Sequence, residues 1–342
     1  MTIGILTGGG DCPGLNAVIR AVVKKARISY DWDVIGIRNG WKGLIEGEVE
    51  PLTLYRVSGL LSLGGTILGT SRKNPFKTEE DKERVRDSLR RFGIEALIAV
   101  GGDDTLSAAL KFHKQGFPIV GIPKTIDNDI VGTDFTFGFN TAVSIVTEAI
   151  DRLQTTAKSH HRIMVVEVMG RHSGWIAVIA GLAGGADLIL IPEVPYDISK
   201  VCEMLQKRHE VKQFSIVVVA EGVTQIENKN AVTQSSAVDE FGNVRLGGVG
   251  QMIGTEIEKR TGIETRVTVL GHIQRGGSPT AYDRVLATRF GVAAVEALKN
   301  KEYGKMVALR SEQIITIPLE EAILKNKKVD MEFYQMAEIF FG

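Results

Sequence analysis

The stretch Gly121-Ile-Pro-Lys-Thr-Ile-Asp-Asn-Asp129 gathers an ammonium, a hydroxyl and two carboxylates on one short segment. It follows the apolar run Pro118-Ile-Val120, which is typical of a buried strand. In open α/β sheets, ligands bind where such strands end. Side chains of these types hold phosphate, attract a cation or take up a proton. The stretch therefore predicts a functional site at the carboxyl edge of a parallel sheet.

Two further stretches share this pattern of an apolar strand followed by glycines and an aspartate. They are Leu97 to Thr105, which contains Gly101-Gly-Asp-Asp104, and Ile3 to Asn16, which contains Gly8-Gly-Gly-Asp11. Consecutive glycines before a helix let backbone N–H groups converge on an anion. The loop from Gly8 to Gly14 fits neither the Walker loop nor the dinucleotide fingerprint. Each alone is compatible with an ordinary turn, but three such strand ends in one lobe indicate phosphate and metal.

Cationic side chains outside these stretches are candidate anion contacts. Arg72 ends a loop rich in glycine and hydroxyl groups, and Arg162 and Met169-Gly-Arg171 flank the strand Ile163 to Val168. Arg266, His272 and Arg275 are expected to form a second cationic cluster, suited to a phosphate monoester through charge-assisted hydrogen bonds. A solvated arginine remains the alternative for Arg72, and a structural His–Arg turn remains the alternative for the second cluster.

Strands alternate with helices along the chain, which predicts an α/β fold of two doubly wound, Rossmann-like lobes with the active site in the cleft between them. Residues 224–248 are rich in polar side chains and predict a loop or a small hairpin. Residues 319–341 are expected to be mostly helical, with a solvated charge run from Lys325 to Lys328. We assign 1–137 and 252–305 to one lobe, and 138–251 and 306–342 to the other.

The composition excludes several classes of function. The 342 residues carry 41 basic and 41 acidic side chains, which argues against a nucleic-acid partner or an anionic membrane surface. The apolar stretch from Trp175 to Pro192 is interrupted by glycines and an aspartate, so it predicts core rather than a membrane span. Two cysteines give no disulfide framework, and the expected location is the reducing cytoplasm. Acidic loops, glycine turns and a distant Arg/His cluster together suit phosphoryl transfer.

Five motifs in order carry a resemblance to the 6-phosphofructokinases, from near the start of the chain to about Ile317. They are Gly9-Gly-Asp11, Gly101-Gly-Asp103, Pro123-Lys-Thr-Ile-Asp-Asn-Asp129, Met169-Gly-Arg171 and Thr265-Arg-Val-Thr-Val-Leu-Gly-His-Ile-Gln-Arg-Gly-Gly277. The resemblance implies a glycolytic transferase that phosphorylates the 1-hydroxyl of fructose 6-phosphate with Mg²⁺. In it, 1–137 and 252–305 form the phosphoryl-donor lobe, and 138–251 and 306–342 form the sugar-phosphate lobe.

The resemblance also implies a role for each site residue. Asp127 is the general base, Asp103 holds Mg²⁺, and the catalytic set includes Lys124, Asp104 and Arg171. Arg162 and Arg266 reach in from a neighbouring subunit, which implies a homodimer or homotetramer with a shared site. The donor-binding residues are Gly9, Gly10, Arg72, Gly102, Asp104 and Lys124. The sugar-phosphate residues are Thr125, Asp127, Asp129, Arg162, Met169, Gly170, Arg171, Glu221, Arg266, His272 and Arg275.

Asp104 and Lys124 bear on the phosphoryl donor. ATP-dependent bacterial members of the family usually have small residues at these two positions, which leave room for the α-phosphate of the nucleotide. An aspartate and a lysine fill that space and resemble the diphosphate-dependent members, in which the ammonium steadies a leaving phosphate. Gly8 and the longer connection over residues 224–248 agree with that branch. Diphosphate is therefore the expected donor, in a readily reversible reaction.

Three alternatives remain open at this point. An ATP-dependent 6-phosphofructokinase has the same fold, and some relatives in the mixed branch use ATP despite partial matches. A non-catalytic sugar-phosphate sensor is a remote alternative, because Asp103, Asp127 and Asp129 are all present and a sensor needs no base. The sequence also does not distinguish fructose 6-phosphate from a seven-carbon sugar phosphate such as sedoheptulose 7-phosphate.

Overall fold

The structure is a computed structural model, and it describes residues 1–227, 231–242 and 244–342. Strands and helices alternate through most of the chain. The strands are β1 (Thr2–Thr7), β2 (Asp33–Ile37), β3 (Val49–Pro51), β4 (Ala96–Gly101), β5 (Ile119–Pro123), β6 (Ile163–Val168), β7 (Leu188–Leu190), β8 (Ser215–Ala220), β9 (Thr233–Val238), β10 (Val244–Leu246), β11 (Thr265–Val269), β12 (Lys305–Arg310) and β13 (Gln313–Pro318).

The helices cover the faces of the sheets, as α/β architecture requires. They are α1 (Leu15–Tyr30), α2 (Trp41–Glu46), α3 (Glu79–Arg91), α4 (Asp103–Lys114), α5 (Phe139–His160), α6 (Trp175–Ala183), α7 (Ile198–Lys212), α8 (Val249–Thr261), α9 (Ala281–Lys299), α10 (Leu319–Ile323) and α11 (Met331–Glu338). Thr78 caps the N-terminus of α3, since the Asp81 amide donates to Thr78 Oγ1 at 3.0 Å.

In the described residues, seven strands form the larger sheet in the order β13-β12-β5-β4-β1-β2-β3. Strands β12, β5, β4, β1 and β2 run parallel, and the two edge strands run antiparallel to their neighbours. The strands that end in the three acidic, glycine-rich stretches, β1, β4 and β5, are therefore adjacent. Their carboxyl ends meet at one edge, as predicted, because parallel neighbours end on the same side of a sheet.

A second sheet has four parallel strands in the order β11-β6-β8-β7 within the described part of the chain. Every residue of β6 and β8 is buried, which explains why both strands read as continuous apolar runs. The apolar stretch that starts at Trp175 folds into helix α6 and strand β7, as expected for core. Among the described helices, none is long and apolar enough to cross a membrane. The chain thus has the mixed α/β fold with two lobes that its sequence predicts.

Strand pairing disagrees with the predicted lobe boundaries at two places. Strand β11 was assigned with residues 252–305 to the donor lobe, yet it pairs with β6 of the smaller sheet. Strands β12 and β13 were assigned to the sugar-phosphate lobe, yet they extend the larger sheet beyond β5. The order of strands and helices along the chain does not show which strands pair. The crossovers between the two sheets therefore could not be predicted from that order.

Two segments differ in detail from their predictions. Residues 319–341 form two short helices, α10 and α11, with a non-helical stretch of residues 324–330 between them. The expected solvated run from Lys325 to Lys328 is wrong for Lys327, which is half-buried. The stretch 224–248 does contain a hairpin, formed by β9 and β10. Residues 228–230 and 243 of that prediction lie outside the described residues.

Candidate active site

A cleft opens where the carboxyl ends of β1, β4 and β5 face the turn that follows β6. Most of the residues predicted for the donor and the catalytic set line it, so the sequence motifs do converge in space. The predicted residues that line the cleft are Gly9, Gly10, Arg72, Gly102, Asp103, Asp104, Lys124, Thr125, Asp127, Asp129, Arg171 and Arg275.

Asp127 has the environment of a proton acceptor. It follows β5, and its amide donates to Thr125 Oγ1 at 3.0 Å, which fixes the start of the turn. Asp127 is only 3% exposed, yet its Oδ1 atom accepts no hydrogen bond from the described residues. An unpartnered buried carboxylate oxygen is costly to the folded protein, and such atoms are found where a ligand or a proton is to be received.

The backbone of this turn adopts a conformation that few residues tolerate. Asn128, between the two aspartates, has a φ of 52°, in the left-handed region that asparagine enters more readily than most residues. Its side-chain oxygen accepts from the Thr136 amide at 3.1 Å, and Thr136 Oγ1 donates to the Thr125 carbonyl at 2.8 Å. These bonds fix the turn that presents Asp127 and Asp129.

Carboxylates crowd together in the cleft. Burial, together with the negative charges of Asp127 and Asp103, raises the pKa of Asp129 to about 7, while Arg171 opposes the shift. Such an excess of negative charge is relieved by a proton or by a divalent cation. The described residues include no group of three or more His, Cys, Asp or Glu side chains that would hold a metal alone.

Lys124 is the buried cation of the cleft. It is 3% exposed, and its ammonium donates to the Gly10 carbonyl, so it bridges the ends of β5 and β1. Burial lowers its pKa to about 8, against the pull of neighbouring anionic groups. An ammonium with so little hydration interacts strongly with an incoming phosphate. Asp104, the other residue of the predicted pair, lies in the first turn of α4 and lines the same cleft.

The first glycine loop is closely packed against its neighbours. A Cβ atom at Gly8 would lie 2.5 Å from Thr105 Oγ1 and 3.0 Å from Thr105 Cγ2, so a serine does not fit there beside Thr105. The Gly9 amide donates to the Ser71 carbonyl at 3.0 Å, and the Gly9 carbonyl accepts from Thr70 Oγ1 at 2.5 Å. The Gly9 amide therefore already has a hydrogen-bond partner, and Gly9, a predicted donor-binding residue, lines the cleft.

The turn after β6 carries Arg171 into the cleft. Arg171 has a φ of 52° and Gly170 a φ of 150°, and a Cβ at Gly170 would lie 2.4 Å from the Ser173 carbonyl oxygen. Glu221 Oε1 accepts from the Gly170 and Arg171 amides at 3.3 and 3.1 Å. Burial and the charge of Asp127 raise the pKa of Glu221. The resemblance implies that Glu221 contacts the sugar. In the structure its carboxylate stabilises the turn by accepting these two hydrogen bonds.

Arg72 reaches the cleft from the donor side and is paired with the hairpin. Its Nη1 atom lies 3.4 Å from Asp239 Oδ2, next to the tip of β9–β10, and Phe241 from the same tip lines the cleft. Neighbouring Glu240 accepts from the Asn74 amide at 2.9 Å. The contact of the hairpin with the donor side could not be predicted, because it joins residues more than 160 positions apart.

The predicted second cationic cluster does not form within one chain. Arg266 lies near the start of β11, where it and Arg162 both pair with Glu264. His272 and Arg275 lie in the turn beyond the other end of that strand. Arg275 donates to the Asp11 carbonyl at 3.1 Å and lines the cleft beside Gly10, while His272 is exposed outside it. An extended strand holds the residues at its two ends far apart, and grouping Arg266 with His272 and Arg275 by residue type does not take that separation into account.

Two residues that hold the site were missed by the sequence reasoning. Gln274 is fully buried, and its side-chain oxygen accepts from the Met169 amide at 3.2 Å. Lys327 donates from its amide to the Asp129 carbonyl at 2.7 Å, although it is about 200 residues away along the chain. Gln274 belongs to the last of the five motifs but has no role assigned there, and Lys327 lies outside all of them.

The chain is similar to known proteins over most or all of its length. A family model described as phosphofructokinase matches residues 2–298. A protein of Amycolatopsis methanolica named pyrophosphate–fructose 6-phosphate 1-phosphotransferase is 55% identical, over 100% of both chains. ATP-dependent 6-phosphofructokinase 2 of Streptomyces coelicolor is 50% identical, again over 100% of both chains. The structure of phosphofructokinase from Saccharomyces cerevisiae aligns with a TM-score of 0.83 and 34% identity, over 94% of this chain and 45% of that one.

Proposed function

Because the chain belongs to the phosphofructokinase family, we propose that it transfers a phosphoryl group reversibly from diphosphate to the 1-hydroxyl of fructose 6-phosphate. The products are fructose 1,6-bisphosphate and phosphate. The observation that carries the choice of donor is the buried ammonium of Lys124, which lines the same cleft as Asp104. Together these side chains fill space that a nucleotide would need, and they supply charge where a small phosphate would leave.

Asp127 acts as the general base in this proposal. The unpartnered oxygen of Asp127 accepts the proton of the 1-hydroxyl as the hydroxyl oxygen attacks the nearer phosphorus of diphosphate. The bond between that phosphorus and the bridging oxygen breaks, and the departing phosphate takes the electron pair. Lys124 and Arg171 neutralise the charge that develops on the transferred and departing groups.

The carboxylates of the cleft suit a divalent cation, as the raised pKa of Asp129 indicates. Asp103 is the proposed ligand of Mg²⁺, with Asp129 nearby. When bound, Mg²⁺ supplies charge neutralisation for the diphosphate oxygens. Asp103 also lies 3.9 Å from the guanidinium of Arg171, which limits the repulsion among the acidic groups.

The sugar-phosphate site is proposed to be shared between subunits of a homo-oligomer. Arg162 precedes β6 and Arg171 follows it, so the two side chains start about 20 Å apart along the strand, at roughly 3.3 Å per residue. Arg266 is the register partner of Met164 at the same end of the sheet as Arg162, which supports the assignment of both arginines to another copy of the chain. The 6-phosphate is assigned to Arg162 and Arg266 of a neighbouring copy with His272 and Arg275, and the sugar to Thr125, Met169, Gly170, Arg171 and Glu221.

ATP is the second candidate donor, because the Streptomyces coelicolor relative at 50% identity is named as ATP-dependent. The test measures initial rates with fructose 6-phosphate and Mg²⁺, offering diphosphate or ATP in separate reactions. We expect a rate with diphosphate that exceeds the rate with ATP by at least about 10²-fold, the scale on which an unsuited site rejects a ligand. A higher rate with ATP would overturn the donor assignment and leave the acceptor site standing. Sedoheptulose 7-phosphate, offered in place of fructose 6-phosphate, tests the length of the acceptor.

A further inference from the structure

One short segment near the end of the chain contacts the site loops of both sheets. It consists of residues 326–329, between α10 and α11, and we call it the bridging segment. Asn326 forms an isolated β-bridge with Ile130, and the Lys327 amide donates to the Asp129 carbonyl at 2.7 Å. These contacts fix the backbone that follows β5 in the larger sheet, directly after the proposed catalytic base.

The same segment also contacts the turn after β6. Ser173 Oγ donates to the Lys327 carbonyl at 3.1 Å, and the ammonium of Lys328 donates to the His172 carbonyl. The Val329 amide and the Gly174 amide both donate to Glu193 Oε1 at 3.1 Å. The bridging segment therefore joins the loop that carries Asp127 and Asp129 to the turn that carries Arg171.

The side chain of Lys327 strengthens the first of these attachments. Its ammonium donates to the Thr133 carbonyl at 3.0 Å and also to the Asp134 carbonyl. It lies 5.8 Å from the centre of the Phe135 ring and 5.2 Å from that of Trp175. Phe135 belongs to the loop after β5 and Trp175 begins α6, so one cation contacts an aromatic ring on each side of the junction. None of the sequence motifs includes this residue.

We propose that Lys327 is a positioning residue, which sets the distance between the proposed base Asp127 and the charge-neutralising Arg171. The inference rests on the proposed phosphoryl transfer. In-line transfer requires both groups to be held within a fraction of an ångström, although the two groups are carried by different sheets. Lys327 touches no predicted donor residue, so its effect should fall on the chemical step rather than on diphosphate binding.

The test compares K327M, which keeps the apolar stem and removes the ammonium, with K327R, which keeps a cation, and with K325M. Lys325 is exposed and lies outside the bridging segment, so it is the matched control. Steady-state rates are measured with the donor that the wild-type protein uses. Backbone hydrogen exchange is measured on the same variants without substrates, over residues 129–135 and 171–175.

We expect K327M to lower kcat by about 10- to 100-fold, the cost of a misplaced catalytic group, with KM for the donor within about twofold of wild type. Exchange should accelerate in both loops, K327R should recover part of kcat, and K325M should behave as wild type. An unchanged kcat in K327M would overturn the proposal. Unchanged exchange in the two loops, or faster exchange throughout both sheets, would overturn it as well.

The exchange measurement separates this inference from the proposed function. If the wild-type protein transferred phosphate from neither diphosphate nor ATP, the proposed function would fail. Faster exchange confined to the two loops of K327M would then still support Lys327 as the link between them. Unaltered exchange would remove that support whatever the activity of the protein.

Discussion

The guanidinium of Arg171 lies 3.9 Å from the carboxylate of Asp103, across the junction between the two sheets. Asp103 begins α4, which follows a strand of the larger sheet, whereas Arg171 follows β6 of the smaller sheet. The pair shows that the cleft is built from both sheets and that its charges oppose each other across it. Any change in the relative position of the sheets alters the charge that a bound phosphate would meet.

Replacing the proposed base tests the mechanism most directly. We expect D127N to lower kcat by at least about 10²-fold, the usual contribution of a general base, because an amide does not accept the hydroxyl proton at neutral pH. D151N is the control, since Asp151 is exposed on α5. The measurement is the steady-state rate with saturating fructose 6-phosphate and donor. A D127N protein with wild-type kcat would rule out this role for Asp127.

The donor assignment predicts the behaviour of glycine variants at two positions. In K124G the ammonium is lost, and kcat/KM for diphosphate should fall by about 10- to 100-fold, the cost of a charge-assisted hydrogen bond. The double variant D104G/K124G should also gain activity with ATP, because space opens for a nucleotide. K325G controls for the loss of a lysine elsewhere. If neither glycine changes the preference between the donors, these residues do not set it.

The buried ammonium of Lys124 leads us to expect that activity with diphosphate depends on pH. Burial lowers its pKa to about 8, so in the free protein its positive charge is lost as the pH rises through about 8. We therefore expect kcat/KM for diphosphate to decline above that pH. K124R should retain its charge there, since a guanidinium titrates far higher, and its profile should lack this decline. Identical profiles for the two proteins would assign the decline to another group.

Asp129 predicts a pH-dependent stability in the absence of metal. Its pKa is about 7 in the folded protein and near 3.8 in the unfolded chain, so the folded state binds more protons between these values. Stability is therefore lost as the pH rises from about 4 to 7. D129N should unfold at a higher temperature than wild type at pH 8, by at least about 2 °C, and the difference should shrink towards pH 4. A difference that is the same at both pH values would contradict the titration of Asp129.

A shared sugar-phosphate site predicts complementation between two inactive proteins. R162A lacks the arginine contributed to a neighbour, and D127A lacks the base of its own cleft. After the two proteins are mixed and their subunits exchanged, a hybrid pair contains one intact site. Random pairing should restore up to about a quarter of the wild-type rate. No recovery, with exchange of subunits verified independently, would mean that Arg162 acts within its own chain or not at all.

The site was largely predictable because its chemistry is local in sequence. Strands β1, β4 and β5 are short buried runs, and each delivers its polar residues directly after the strand ends. Asp127 and Lys124 were found from that pattern and lie in the cleft as expected. The close fit of Gly8 to Thr105 was not predicted, because it depends on how β1 and α4 pack rather than on either segment alone.

The failures all involve contacts between distant parts of the chain. The pairing of β11 with β6, and of β12 with β5, follows from which edges remain open after the other strands have paired. Lys327 was expected in solvent because its neighbours are charged, yet two backbone carbonyls and two aromatic rings surround its ammonium. A run of charged residues in the sequence does not show which of their side chains packs against the folded protein.

The place of β12 beside β5 also bears on synthesis of the chain. The ribosome makes β12 about 180 residues after β5, which is an interval of roughly 10 to 40 s at about 5 to 20 residues per second. Until then the open edge of β5, next to the future catalytic loop, offers unpaired backbone groups to other nascent chains. A chaperone that shields this edge on the ribosome would therefore raise the yield of native protein more than one that acts after release.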